Sequence, residues 1–331
     1  MISKQKLSAC RSHRIAQHGA EVLVRSMRTT TRMCPTQQPT HLAPIQLPQQ
    51  HSRCQHAAAL QAVRTVTDYA SALVGPDVHI EVHSEEADVA AALVDIVENA
   101  AVKAIAAKGS FTLAVPGGSV LKMLTGLATS SAGIDWSKVY MVYVNHKCVP
   151  LDDKSSTHKK ARDYFLDKVG MPESHVLAVR GTADAMVEAR FYEEGLHKLV
   201  KQAGMSVAGN GAPMFDLMLI GMGADGHVGS LYPNKPETTM TESWVLPVVK
   251  AEGASSITLS HPVMSAGRHI VVCMTGAKKA PAVRAALEEQ QAPGSMPAQM
   301  IRAPFGSRVV WLMDNGAAAD LSAVGGLRKV I

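Results

Sequence analysis

The sequence predicts an α/β fold, a mainly parallel sheet with helices packed on both faces. Three observations carry that expectation: short, almost unbroken apolar runs recur along the chain, longer segments with helical spacing separate them, and glycine-rich loops follow several of the runs. Continuous apolar runs belong to strands buried on both faces, and regular alternation with helices is the mark of parallel crossover connections.

The first run is VHIEV at 78 to 82. Ser84, Glu85 and Glu86 then open a helix in which Val89, Leu93, Ile96 and Val97 fall on one face, with Gly109 just beyond its end. FTLAV (111 to 115), VYMVYV (139 to 144), HVLAV (175 to 179), FDLMLI (215 to 220) and HIVVCM (269 to 274) are the further expected strands. Helical segments are expected at about 119 to 130, 157 to 168, 183 to 203, 278 to 290 and 314 to 324. In such sheets ligands sit beyond the carboxyl ends of the strands, so the loops there are the candidates for a site.

Composition limits what that site does. The chain has 331 residues and a net charge of +5, but the charge is unevenly spread. Residues 1 to 66 hold nine Lys or Arg against the single acid Glu21, whereas residues 67 to 331 hold 24 bases and 27 acids. The basicity thus belongs to a leader rich in Arg, Ser, Thr, Gln and Pro, composed like an organelle transit peptide. A disordered basic tail that touches nucleic acid or a membrane surface is the alternative. Residues 67 to 331 are expected to form a single domain. No apolar run approaches the about 20 residues of a membrane helix, so a soluble protein is expected. Cys10, Cys34 and Cys54 lie in the leader, leaving Cys148 and Cys273 in the body with no CxxC spacing. That spacing argues against both a zinc site and a disulfide framework.

Three loops carry the chemistry. After FTLAV comes PGGS, where Gly117 and Gly118 permit a tight turn and Ser119 opens the next helix. That arrangement suits a phosphate, although a plain strand-to-helix turn uses glycines equally well. After FDLMLI comes GMGADGHVGSLYP, in which Gly221, Gly223, Gly226 and Gly229 surround Asp225 and His227. Glycines let a substrate approach closely, a histidine takes a proton from water, and a nearby carboxylate holds the ring in the required tautomer. A loop histidine bonded only to backbone is the competing reading. After VYMVYV comes Asn145, His146, Lys147 and Cys148, polar enough for a site and equally suited to a solvated turn, with Cys148 a small buried filler.

The ordered set PGGS, NHKCVPLDDKSSTHKKARDYFL, FDLMLIGMGADGHVGSLYP, SITLSHPVMSAGRHIVVCMTGAKKA and MPAQMI…VVWLMDNGAAADL resembles the 6-phosphogluconolactonase family, relatives of the glucosamine-6-phosphate deaminases, over roughly residues 78 to 325. The resemblance implies a modified Rossmann-like sheet and metal-free, cofactor-free hydrolysis of a phosphorylated sugar lactone, 6-phosphogluconolactone, to 6-phosphogluconate. It further implies that His227 is the general base, that Asp225 and its glycines form the loop that holds it, that Gly117, Gly118 and Ser119 take the sugar phosphate, and that Lys279 helps to neutralise it. Similarity to plant-type members implies a plastid, with the mitochondrion as the alternative. No nucleic-acid or membrane partner is implied.

The chain departs from the family at identifiable places. Where D-E-R is usual stand Asn145, His146 and Lys147, so Lys147 replaces the arginine expected at the lactone and loses its planar fork. Ser256 stands where an arginine usually precedes ITL, and Pro116 replaces a serine. Loss of one charge-assisted hydrogen bond corresponds to about one to two powers of ten in binding. Two readings follow: a working lactonase with Lys147 at the oxyanion, or a non-catalytic relative that serves as a binding or assembly subunit. Aminosugar-phosphate deamination is a distant third, because the carboxylates it needs are missing.

Overall fold

A computed structural model of the chain describes residue 73 and residues 78–304 and 306–322. The basic leader, with its transit-peptide reading, lies outside the described residues.

Seven parallel strands form the main sheet: β1 (Val78–His83), β2 (Phe111–Val115), β3 (Val139–Tyr143), β5 (Val176–Leu177), β6 (Leu217–Gly221), β9 (His269–Met274) and β10 (Arg308–Asp314). Their spatial order is β1-β10-β9-β6-β2-β3-β5. Three short strands, β4 (Asn145–Lys147), β7 (Val245–Val248) and β8 (Ser256–Leu259), make a separate antiparallel sheet in the order β4-β8-β7. The helices are α1 (Glu86–Lys108), α2 (Gly118–Met123), α3 (Thr157–Ala161), α4 (Asp167–Val169), α5 (Ala185–Gln202), α6 (His261–Met264) and α7 (Ala280–Glu288). A π-helical segment, Arg162–Leu166, joins α3 to α4.

The α/β expectation holds, and the central strands alternate their side chains between two cores. Along β10, Val310 and Leu312 join the core under α1, while Val309, Trp311 and Met313 join the opposite one with Tyr192, Leu196 and Phe215. β2 is buried at all five positions, as its unbroken apolar run requires. Helix α1 packs Val89, Leu93, Val97 and Ala101 inward and ends at Gly109, which adopts φ 81°. Its amide donates to Ile105 O at 2.9 Å. Asp216 staples the start of the sheet, accepting from Thr112 N–H and Oγ1 at 2.8 Å each and pairing with Lys108 at 2.9 Å.

Some elements differ from the pattern read in the sequence. Among the described residues of the helix expected at 314 to 324, none is helical: 315–320 is a run of turns after β10. Alanine content favours a helix there, but the Asp314 carboxylate takes the Gly276 and Ala317 amides. A side chain at Gly316 would press on Ala277 N at 3.1 Å, so the segment is held as a tight turn against its neighbour. HVLAV contributes only the two residues of β5, half-buried at the sheet edge. The small sheet has strands too short for periodicity to reveal, and β7 contains Pro247.

Two features of this architecture place the site. β2 and β6 are neighbours, and the chain leaves β2 toward β3 on one side and β6 toward β9 on the other. Their carboxyl ends therefore flank the switch point at which open α/β sheets hold ligands. Val144 links the two sheets, its N–H donating to Val115 O at 2.8 Å and its carbonyl accepting from Leu259 N–H at 2.7 Å.

Candidate active site

The loop after β2 turns at Gly118, which has φ 75°, and the Gly117 N–H donates to Asn145 Oδ1 at 3.2 Å. The loop after β6 folds back on itself. Met222 pairs with Val228, Gly223 N–H donates to His227 O at 2.8 Å, and Gly226 N–H donates to Gly223 O at 3.1 Å. Gly226 takes φ 82°, a conformation that costs an ordinary residue free energy. Gly223 is required for a different reason: a β-carbon there would overlap the His227 imidazole and the Asp225 carboxylate.

That compact turn brings the two polar side chains together. Asp225 Oδ1 lies 2.6 Å from His227 Nδ1 and also accepts the His227 N–H at 3.2 Å. A carboxylate beside Nδ1 assigns the proton to that nitrogen and leaves the Nε2 lone pair as a base. Partial burial acts to raise the Asp225 carboxyl, and the hydrogen bonds from the His227 amide and ring outweigh it, so the group is held below its ordinary value.

Lys279 ends the single turn Ala277–Lys279 between β9 and α7. Gly276, at φ 90°, starts that turn, and its N–H is held by both oxygens of Asp314 at 3.0 Å. Burial lowers the Lys279 ammonium below its usual value, while the Asp225 charge opposes the shift.

These loops enclose a cleft of about 240 Å³. The Gly117–Ser119 turn, Gly221, Gly223, His227 and Lys279 all line it. Asp225 stands behind the imidazole. Lys147 is exposed and is not among the lining residues. Strand alternation puts it on the face of β4 that carries Asn145, one repeat further out. Asn145, which lines the cleft, was not among the residues expected there. Its signal was available in principle, since it follows β3 directly and strand ends carry sites, but an isolated asparagine does not declare its direction.

Asn145, Ser230 and Ser256 form a neutral hydrogen-bonded chain. Asn145 Nδ2 donates to Ser230 Oγ at 3.4 Å, and Ser256 Oγ, on a buried residue, donates to the same oxygen at 3.1 Å. His146 points the other way into the core. Its Nε2 accepts from the His158 N–H at 3.0 Å, Nδ1 lies 2.7 Å from Lys147 O, and burial lowers it to about 4. Cys148 and Cys273 are free thiols that burial pushes up to about 12, so neither is a nucleophile at neutral pH. No cluster of three or more potential metal ligands occurs among the described residues.

Residues 84–311 match the family described as glucosamine-6-phosphate isomerases/6-phosphogluconolactonase. The chain belongs to that family. It is 35% identical over 228 residues to "Probable 6-phosphogluconolactonase 3, chloroplastic" of Oryza sativa subsp. japonica, which covers 67% of this chain and 69% of the rice protein. It is also 35% identical over 224 residues to 6-phosphogluconolactonase 3, chloroplastic, of Arabidopsis thaliana, covering 65% and 66% of the two chains. Among solved structures, the fold is similar to 6-phosphogluconolactonase from Trypanosoma brucei, with TM-score 0.63, 23% identity and coverage of 75% of this chain and 100% of that one. A monomeric glucosamine-6-phosphate deaminase shares the fold at TM-score 0.58 and 20% identity, with 74% and 99% covered.

Proposed function

We propose that the chain hydrolyses 6-phosphogluconolactone to 6-phosphogluconate, with His227 as the general base. The observation that carries this reading is the His227–Asp225 pair, oriented with one imidazole nitrogen held and the other free, in the same small cleft as the Gly117–Ser119 turn and Lys279. In this reading Nε2 removes a proton from water as the oxygen attacks the lactone carbonyl carbon. The tetrahedral intermediate then expels the ring oxygen, which takes the proton back from the imidazolium. The products are a hydroxyl on the sugar chain and a carboxylic acid that ionises in water. A lactone is an activated ester, so a placed water, a base and a nearby cation suffice.

Lys279 is assigned to the phosphate, together with the Gly117–Ser119 turn, and Gly221 and Gly223 let the substrate approach the backbone. Lys147 is assigned to the developing oxyanion, which requires its exposed side chain to swing inward along β4. The relatives named as lactonases support the reaction, and the open cleft with an oriented base favours turnover over a purely scaffolding role. Relatives named chloroplastic, together with the basic leader, support a plastid location.

The test is a pH-stat assay with freshly prepared 6-phosphogluconolactone. The purified chain is expected to exceed the spontaneous rate, and His227→Ala to remove the excess while the melting temperature stays within a few degrees. Equal rates for the wild type and the buffer blank would refute the assignment. For the location, residues 1–66 fused to a fluorescent protein should direct it to plastids in leaf cells, and mitochondrial or diffuse signal would contradict it.

A further inference from the structure

His227 touches more than its carboxylate. Its ring centroid lies 4.8 Å from that of Tyr232, with the two planes at 42°. The tyrosine is itself held at both ends. Its carbonyl accepts from the Lys235 N–H at 3.2 Å and from Thr238 Oγ1 at 2.8 Å, and Thr238 is fully buried. Its hydroxyl accepts from Lys250 Nζ at 3.0 Å, and the same ammonium sits 5.0 Å from the ring centroid. Lys250 follows β7, where its N–H donates to Ser255 Oγ at 3.3 Å.

The hydrogen bond to Asp225 sets the imidazole plane only while that bond is made. The Asp225 side chain is 52% exposed, so water competes for that bond. A contact with an anchored aromatic ring supplies a second, independent restraint, and the two together hold the plane in which the free nitrogen lies. Orientation of this kind matters because a displacement of about 1 Å at a reacting group costs about a hundredfold in rate.

We propose that Tyr232 is a positioning residue, whose ring, anchored by Lys250, sets the plane of the His227 imidazole so that Nε2 faces the cleft. The proposal rests on the hydrolytic reading given above. It needs neither proton transfer nor substrate contact by Tyr232, and the flat ring rather than the hydroxyl is the part that acts on His227.

The test combines kinetics with a readout of the imidazole. Tyr232→Ala is expected to lower kcat by about 10- to 100-fold with KM changed less than about threefold, whereas Tyr232→Phe keeps at least half of the wild-type kcat. Lys250→Met, which loosens the anchor but leaves the ring, should fall between the two. Proton–nitrogen correlation spectra at a pH where the ring is neutral should show His227 protonated on Nδ1 in the wild type and Tyr232→Phe. In Tyr232→Ala the two nitrogens should move toward averaged shifts.

Should Tyr232→Ala fail to fold, Tyr232→Leu keeps the bulk without the flat ring and is read in the same way. A kcat within twofold of wild type, failure of phenylalanine to rescue, or an unchanged imidazole spectrum would each overturn the proposal. A wild type without turnover would instead refute the hydrolase reading, and the spectra would still decide whether Tyr232 orients the ring.

Discussion

At the scale of single residues, the site depends on how little room surrounds His227. Gly223 leaves the space that the imidazole and the Asp225 carboxylate fill. Gly223→Ala should therefore abolish turnover by displacing the imidazole, and a retained kcat in a steady-state assay would contradict that crowding. Asp225→Asn keeps the shape and removes the charge that selects the tautomer, so kcat should fall by about 10- to 100-fold. The sign of the pH effect follows from the same pair. Because the folded-state carboxyl is lowered, its favourable interaction is fully present at neutral pH and is lost as the pH falls through that lowered value. The histidine loop was legible in the sequence as a candidate, since glycines surround one histidine and one aspartate directly after an apolar run, although a backbone-bonded histidine fitted the same pattern. The placements of Asn145 in the cleft and of Lys147 outside it were not, because three residues of β4 carry too short an alternation to show which side chain turns inward.

At the scale of elements, the cleft is held by supports that lie outside it. Asp314 closes β10 and grips the Gly276 amide, which sets the turn that presents Lys279. Asp314→Ala is expected to raise KM for the phosphorylated lactone several-fold more than it lowers kcat. It should also cost about 1.5 to 3 kcal/mol in chemical denaturation, the usual worth of hydrogen bonds to a charged group. Equal effects on KM with an unphosphorylated lactone would show that the turn does not act through the phosphate. The long strands and helices were legible because their periodicity runs over five or more residues. The sequence predicts a helix at the Asp314 turn because its partner is hidden there: alanines favour a helix locally, and the carboxylate's contact with Gly276 joins positions far apart in the chain.

At the scale of the whole molecule, the body and the leader differ in charge, and the body carries buried histidines that make it sensitive to acid. His146 is fully buried, and burial holds it down to about 4, against 6.5 for a free imidazole. Above 6.5 both folded and unfolded chains keep it neutral, so it imposes no penalty there. Between 6.5 and about 4 the unfolded chain takes up a proton that the native chain refuses, which destabilises the fold by up to about 3 kcal/mol. His269, lowered to about 4 by burial and by Arg308, acts in the same direction. Melting temperatures should therefore drop from pH 7.5 to pH 5, and His146→Asn should flatten that slope even if it lowers the plateau. A slope unchanged by the substitution would place the acid sensitivity elsewhere.

Val144 gives its amide to one sheet and its carbonyl to the other, so floor and wall of the cleft are riveted through its backbone. A rivet at that place opposes any motion that would part the two sheets. Through a doorway framed in this way, bulk solvent arrives along with the sugar. For chemistry that consumes water such a draughty chamber is an advantage, whereas a transferase on the same frame would need a shutter to keep its acceptor from being outcompeted.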